Sequence, residues 1–129
     1  MAYFNKYVGI PFKEKTSSFE GCDCWGLVRL FYREEYGIKL TDFTDRYTDT
    51  SDLNIALIIR EEQGNVRETE NPREGDILVF KFMGEPLHVG IWLSEDKMLH
   101  VMNGINASIE KHSKRQWQQR LEGVYTYDI

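Results

Sequence analysis

One stretch fixes more of this chain's fold than any other: Gly21-Cys22-Asp23-Cys24-Trp25-Gly26-Leu27-Val28-Arg29-Leu30-Phe31-Tyr32-Arg33-Glu34-Glu35-Tyr36-Gly37. It reads as a loop passing into a helix over residues 25–36, with a thiol at the junction. Cys24, Leu27, Val28 and Phe31 fall at i, i+3, i+4 and i+7, so they share one face that must be buried. Gly37 can adopt the left-handed conformation that closes a helix. Cys24 is thereby placed in the first turn, pointing into the protein. There it meets the positive end of the helix dipole and unpaired backbone N–H groups. Both favour the thiolate, which is the nucleophilic form. The same N–H groups can hold an oxyanion formed beside the sulfur. A small apolar core cysteine would show the same pattern, so the rest of the chain has to decide.

The 129 residues suffice for one domain, expected to span 1–129. Net charge is −5, with no basic stripe, which argues against nucleic acid and against an anionic membrane as partners. No apolar run is long enough to insert into a membrane, and Met1-Ala2-Tyr3-Phe4-Asn5-Lys6 is not the start of a signal peptide. The chain is expected to be made in a cytoplasm and not to leave by that route. Cys22 and Cys24, at i and i+2, cannot bridge without strain and are too few for a structural zinc site. No cofactor and no metal are expected.

A short helix is expected near residues 2–8, an extended path after Pro11 and a loop at Thr16–Ser18. Residues 38–50 are polar and turn-rich. Ser51 or Asp52 can cap a second helix running through Leu53, Ile55, Ala56, Leu57, Ile58 and Ile59 to near Gly64. After the turn Asn71–Asp76 the period changes to two. Strands are expected at 77–82, 87–93, 97–102, 107–111 and 123–127, with a turn at Met83–Pro86 and a short helix at 114–121. The predicted class is α+β: N-terminal helices packed on one face of an antiparallel β-sheet meander.

Alternation puts His88, Gly90 and Trp92 on one face of their strand. The three-residue loop Ser94-Glu95-Asp96 pairs Leu93 with Lys97, which sets Gly90 opposite His100 and makes His88 its diagonal neighbour. Gly90 leaves space above that patch. A helix with an inward cysteine, covering two histidines, supplies a nucleophile, a base and a group that orients the base. His88, His100 and a cysteine are also zinc-ligand types, but without a compact ligand pair of the usual spacing. Asp23 can cap the helix or oppose thiolate formation by its charge. His112, in a charged stretch, reads as surface.

Asp-Cys-Trp-Gly-Leu-Val at 23–28, Glu-Gly-Asp-Ile-Leu-Val-Phe at 74–80, His-Val-Gly-Ile-Trp-Leu at 88–93 and Met-Leu-His at 98–100 together resemble the NlpC-type cell-wall cysteine peptidases, a papain-like family. Their order and spacing match across most of the chain. The tryptophan after the cysteine, the run Arg29–Ile38 and the end Gly123-Val124-Tyr125-Thr126-Tyr127 are similar to the subgroup encoded by tailed phages and prophages. The resemblance implies Cys24 as nucleophile, His88 as base and His100 as third residue. It implies cleavage of amide bonds in peptidoglycan stem peptides through an acyl-enzyme, with a Cys24 thiolate paired to His88. It further implies residence in a virion tail acting at the cell wall, with other tail proteins as partners. Where the family carries Gly-x-Pro-Tyr, this chain has Gly9-Ile10-Pro11-Phe12, so the tyrosine hydroxyl is missing and Tyr7 is the alternative source. Asp23, Tyr7, Phe12, Trp25 and Gly90 are the candidates around the oxyanion and substrate. The rival expectation is a structural or assembly module of the tail tip, with an idle or occluded triad.

Overall fold

The computed structural model describes residues 2–43, 47 and 66–128. The second helix expected through Leu53–Ile59 lies outside the described residues. The chain starts with a 3-10 helix, Ala2–Tyr7, shorter than the helix expected there. A small hairpin follows, β1 (Ser17–Ser18) with β2 (Gly21–Cys22), where a plain loop was expected. Helix α1 covers Cys24–Tyr36. Gly37 ends it in the left-handed region, φ 67°, with its N–H on the Arg33 carbonyl. Leu27, Leu30 and Phe31 on the inner face are almost wholly buried, which contributes roughly 2 kcal/mol each.

Gly26 explains why the motif needs glycine in the middle of this first turn. A Cβ there would stand 1.9 Å from the Thr16 carbonyl oxygen, a backbone atom that has nowhere to go. The loop before the helix therefore lies directly on the helix, and Ser17 closes it by donating its hydroxyl to the Gly26 carbonyl at 2.7 Å.

The remainder is a six-stranded antiparallel sheet in the order β3-β8-β4-β5-β6-β7, where β3 is Val66–Glu68, β4 Ile77–Phe82, β5 Glu85–Trp92, β6 Lys97–Met102, β7 Ile105–Lys111 and β8 Leu121–Tyr127. β4 to β7 form the expected meander, and β8 returns to the other side of β4. A one-turn helix, α2 (Arg115–Gln118), connects β7 to β8 and is shorter than expected. The sheet has two buried faces. Val79, Val89, Ile91, Leu99, Val101 and Ala107 pack with α1. Leu78, Phe80, Met98 and Val124 pack with Trp117 of α2.

Two bulges decide which faces β5 and β7 present beyond their turns. The β4–β5 turn is Met83-Gly84, tighter than expected, and both residues have positive φ (54° and 81°), as a type I′ hairpin requires. Phe82 pairs with Glu85 and Lys81 with Pro86, but Phe80 pairs with His88, so Leu87 is the extra residue. In β6–β7, Met102 pairs with Ile105, yet His100 pairs with Ser108. A single inserted residue moves every side chain beyond it to the other face. The bulges thus put His88 with Phe80, and Glu110 with His100, on the face of α2.

Candidate active site

Asp23 is the N-cap of α1, and its wholly buried carboxylate is saturated with donors. Oδ1 accepts the Gly26 N–H at 2.7 Å, while Oδ2 accepts the Lys15 N–H at 2.9 Å and the Tyr47 hydroxyl at 2.6 Å. One side chain thus ties the preceding loop, the helix start and Tyr47 together. Both roles weighed for Asp23 are realised, because its charge also opposes ionisation of the neighbouring thiol.

Cys24, in the first turn, leans on the sheet. Its Sγ lies 4.0 Å from the Leu87 carbonyl oxygen, at the bulge, and takes hydrogen bonds from the Val89 and Trp25 N–H groups. β5 and β6 pair at Trp92–Met98 and Ile91–Leu99, the register the three-residue loop predicts, and the ladder goes no further. Val89 N–H, which would otherwise continue that ladder, meets sulfur instead. The thiol therefore plugs the place where the two strands part.

The histidines stand on the other face. The helix does not cover them, as the sequence suggested; Trp117 does, stacked on His88 with centroids 5.8 Å apart and edge-on to His100 at 5.1 Å. His88 reaches the thiol's side at the parting of β5 and β6. A pocket of about 270 Å³ is lined there by Cys24 and His88 together with Phe12, Leu87, Val101 and Asn103. His88 Nε2 and His100 Nδ1 are 3.0 Å apart, and His100 Nε2 is 2.7 Å from Glu110 Oε2. Trp117 Nε1–H donates to Glu110 Oε1 at 3.0 Å.

Burial governs the protonation of this pair. It pushes the Cys24 thiol up to about 12, helped by Asp23 and resisted by the Val89 and Trp25 N–H groups. Burial, then the nearby His100, lowers His88 to about 3. Both shifts act against the thiolate–imidazolium pair the sequence suggests: burial and Asp23 on the thiol, burial and His100 on the imidazole. One consequence is measurable without substrate. An unfolded chain protonates His88 below about pH 6.5, whereas the folded chain waits until about 3. Its contribution to stability is therefore complete above 6.5 and is lost as pH falls toward 3. Between pH 7.5 and 5 the loss through this ring is about 2 kcal/mol. Melting curves should show a smaller acid shift for His88→Asn than for wild type. Equal shifts would refute a buried neutral imidazole.

The remaining candidates separate. Phe12 lines the pocket, bridging to Cys22, and presents a ring without a hydroxyl. Tyr7 cannot replace that hydroxyl, because it is buried far along α1, donating to Glu35 at 2.5 Å between Phe19 and Phe31. The Trp25 ring is spent on structure: its N–H donates to the Thr41 carbonyl at 3.0 Å, so its contribution at the sulfur is its main-chain N–H. Gly90 leaves no space for substrate. A Cβ there would be 3.0 Å from Met98 Sδ and 3.5 Å from His100 Cβ, so the missing side chain is what lets the histidine pack. His112, read as surface, is buried on Trp92, with Nε2 2.9 Å from the Ser94 carbonyl oxygen. Glu110, Trp117 and Asn103 were not foreseen as site residues. Among the described residues no group of His, Cys, Asp and Glu converges to hold a metal ion, and no helix is long and apolar enough to cross a membrane.

A thiol at the head of a helix, packed on an antiparallel sheet that carries a histidine pair, is a papain-like α+β arrangement. The chain belongs to the NlpC/P60 family, whose pattern matches residues 9–126. It is 23% identical over 120 residues to the Escherichia coli K12 murein DD-endopeptidase MepS/murein LD-carboxypeptidase, covering 93% of this chain and 57% of that protein. It is 27% identical over 128 residues to tail tip assembly protein K of Escherichia phage N15, covering 92% of this chain and 50% of that protein. The chain thus spans about half the length of these relatives. Among solved structures, the NlpC/p60 domain of peptidoglycan hydrolase SagA superposes with a TM-score of 0.67 at 21% identity, covering 97% of this chain and 93% of that domain. A Bacillus cereus ATCC 10987 family member gives 0.70 at 19% identity, covering 94% and 36%.

Proposed function

We propose that this chain is a thiol hydrolase that cleaves amide bonds in the stem peptides of peptidoglycan, carried by a phage or prophage tail and acting at the cell wall as one domain over 1–129. The observation that supports it most is Cys24 and His88 facing one pocket, with His100 at 3.0 Å behind His88. In this reading His88 takes the thiol proton as sulfur attacks the amide carbonyl carbon. The oxyanion is held by the main-chain N–H of Cys24 at the head of α1, since the Gly26 N–H is taken by Asp23 and the Trp25 N–H by the sulfur. The amine leaves with the proton from His88, and water then hydrolyses the thioester by the same route in reverse. Burial holds both groups toward their neutral forms, so in this reading proton transfer accompanies attack instead of preceding it. The acidic chain does not favour adsorption to an anionic wall, so other tail proteins deliver it.

The test is digestion of purified peptidoglycan with mass analysis of what is released. Soluble peptides with new termini support the reading and name the bond. No product from protein whose thiol is reduced and alkylatable refutes it for the isolated chain.

The second reading, a tail-tip assembly module with an idle triad, draws on the similarity to tail tip assembly protein K and on Phe12 in place of a hydroxyl. Phage carrying Cys24→Ala would remain infective under it, and lose infectivity under the first.

A further inference from the structure

Glu110 ends the line of polar contacts that runs from His88 through His100. It stands on β7 opposite Met98, on the face of α2, two residues along from Ser108, the partner of His100. Its two carboxylate oxygens meet two different ring nitrogens: His100 Nε2 at 2.7 Å and Trp117 Nε1 at 3.0 Å. The indole N–H can only donate. It fixes Oε1 as an acceptor and holds the carboxylate in place. Burial alone would raise the Glu110 carboxyl, but the bonds from Trp117 and His100 outweigh it and hold it below its ordinary value. An ionised carboxylate has no proton to give, so His100 Nε2 must carry one.

We propose that Glu110, anchored by Trp117, is a positioning residue that sets the tautomers of both histidines and thereby leaves His88 Nδ1 free to accept the Cys24 proton. With the proton on Nε2, neutral His100 offers Nδ1 as an acceptor. His88 Nε2, 3.0 Å away, must then be the donor. A neutral His88 protonated at Nε2 is unprotonated at Nδ1. During attack, the positive charge that develops on His88 is opposed through His100 by the Glu110 charge. The groups facing His100 are His88 from β5, Glu110 from β7 and Trp117 from α2, while Lys114 acts on Glu110 through its charge.

Glutamine cannot do this. Its amide has one acceptor oxygen for two converging N–H donors. If its NH2 turns toward His100, Nε2 must accept, both tautomers reverse, and His88 Nδ1 carries a proton where a base is needed. The kinetic arm of the test rests on the hydrolase reading; the spectroscopic arm does not. In 15N-labelled wild type, long-range 1H–15N correlations of the histidine rings should show both His88 and His100 protonated at Nε2. In Glu110→Gln and Glu110→Ala that pattern should be lost. On a soluble stem peptide, kcat should fall roughly 10- to 100-fold with KM little changed, as losing a partner that orients a site imidazole does. Trp117→Phe, which keeps the ring and removes the anchor, should fall in the same direction by less. Wild-type rings protonated at Nδ1 would overturn the proposal, as would unchanged kcat in a folded Glu110→Gln. A wild type inactive on every wall substrate would sink the hydrolase reading instead, and the ring spectra would still decide this one.

Discussion

Cys24→Ala is expected to lose wall-peptide hydrolysis by roughly 10⁴-fold or more while keeping its fold. Under the proposed mechanism the substitution removes the atom that forms the covalent intermediate and leaves only binding and oxyanion stabilisation. Retention of the fold follows from the chemistry of the resting site. The thiol is neutral, so its removal strands no buried charge, and its contact with the Leu87 carbonyl is long, at 4.0 Å. The melting temperature should move by a few degrees at most. Cys22→Ala is the matching control. Cys22 is also buried, with its thiol likewise pushed up to about 12 by burial and then by Asp23, but it pairs with Ser17 in the β1–β2 hairpin and does not line the pocket. Its activity should stay within tenfold of wild type. A Cys24→Ala protein that is folded and still active would remove the nucleophile from the mechanism.

The second large effect falls on stability. Asp23→Ala should cost about 3–5 kcal/mol, because it leaves the Gly26 and Lys15 N–H groups and the Tyr47 hydroxyl without their acceptor and deletes the helix cap. Denaturant unfolding would measure it, and a midpoint equal to wild type would contradict the account. Asp23→Asn separates the two roles of this residue. Its side-chain oxygen can still accept from one donor, so it should be less damaging, and it removes the charge that opposes thiolate formation. Alkylation of Cys24 at neutral pH should therefore be faster in a less stable protein. This places the site among those where stability and reactivity pull in opposite directions.

The helix could be read from the sequence because each signal was local: four apolar positions at helical spacing, a capping aspartate and Gly37 at the end. The β5–β6 register was legible for the same reason, since the three-residue loop fixes it. The faces of the other two hairpins were not. Asn103-Gly104 announces a tight turn, and a regular ladder from that turn would set Ala107, not Ser108, beside His100 and send Glu110 to the far face. One inserted residue reverses this, and no local residue type signals it. Likewise the extra residue Leu87 carries His88 to the face of Phe80. Glu110 was therefore hidden by a bulge, and Trp117 by standing on a single helical turn. Tyr7 and His112 failed differently. Nothing in composition says that a tyrosine hydroxyl will find Glu35 twenty-eight residues on, or that a histidine among lysines will fold onto Trp92.

The most direct test of the central claim is to catch the thioester. Wild type turning over a synthetic stem peptide is quenched in acid within the first turnovers, and its intact mass is measured and mapped. The expected result is a population heavier by the acyl part of the peptide, carried on the tryptic segment Thr16–Arg29 and placed by fragmentation on Cys24, not Cys22. An acyl group on any other residue, or products formed at the wild-type rate by Cys24→Ala, would contradict it.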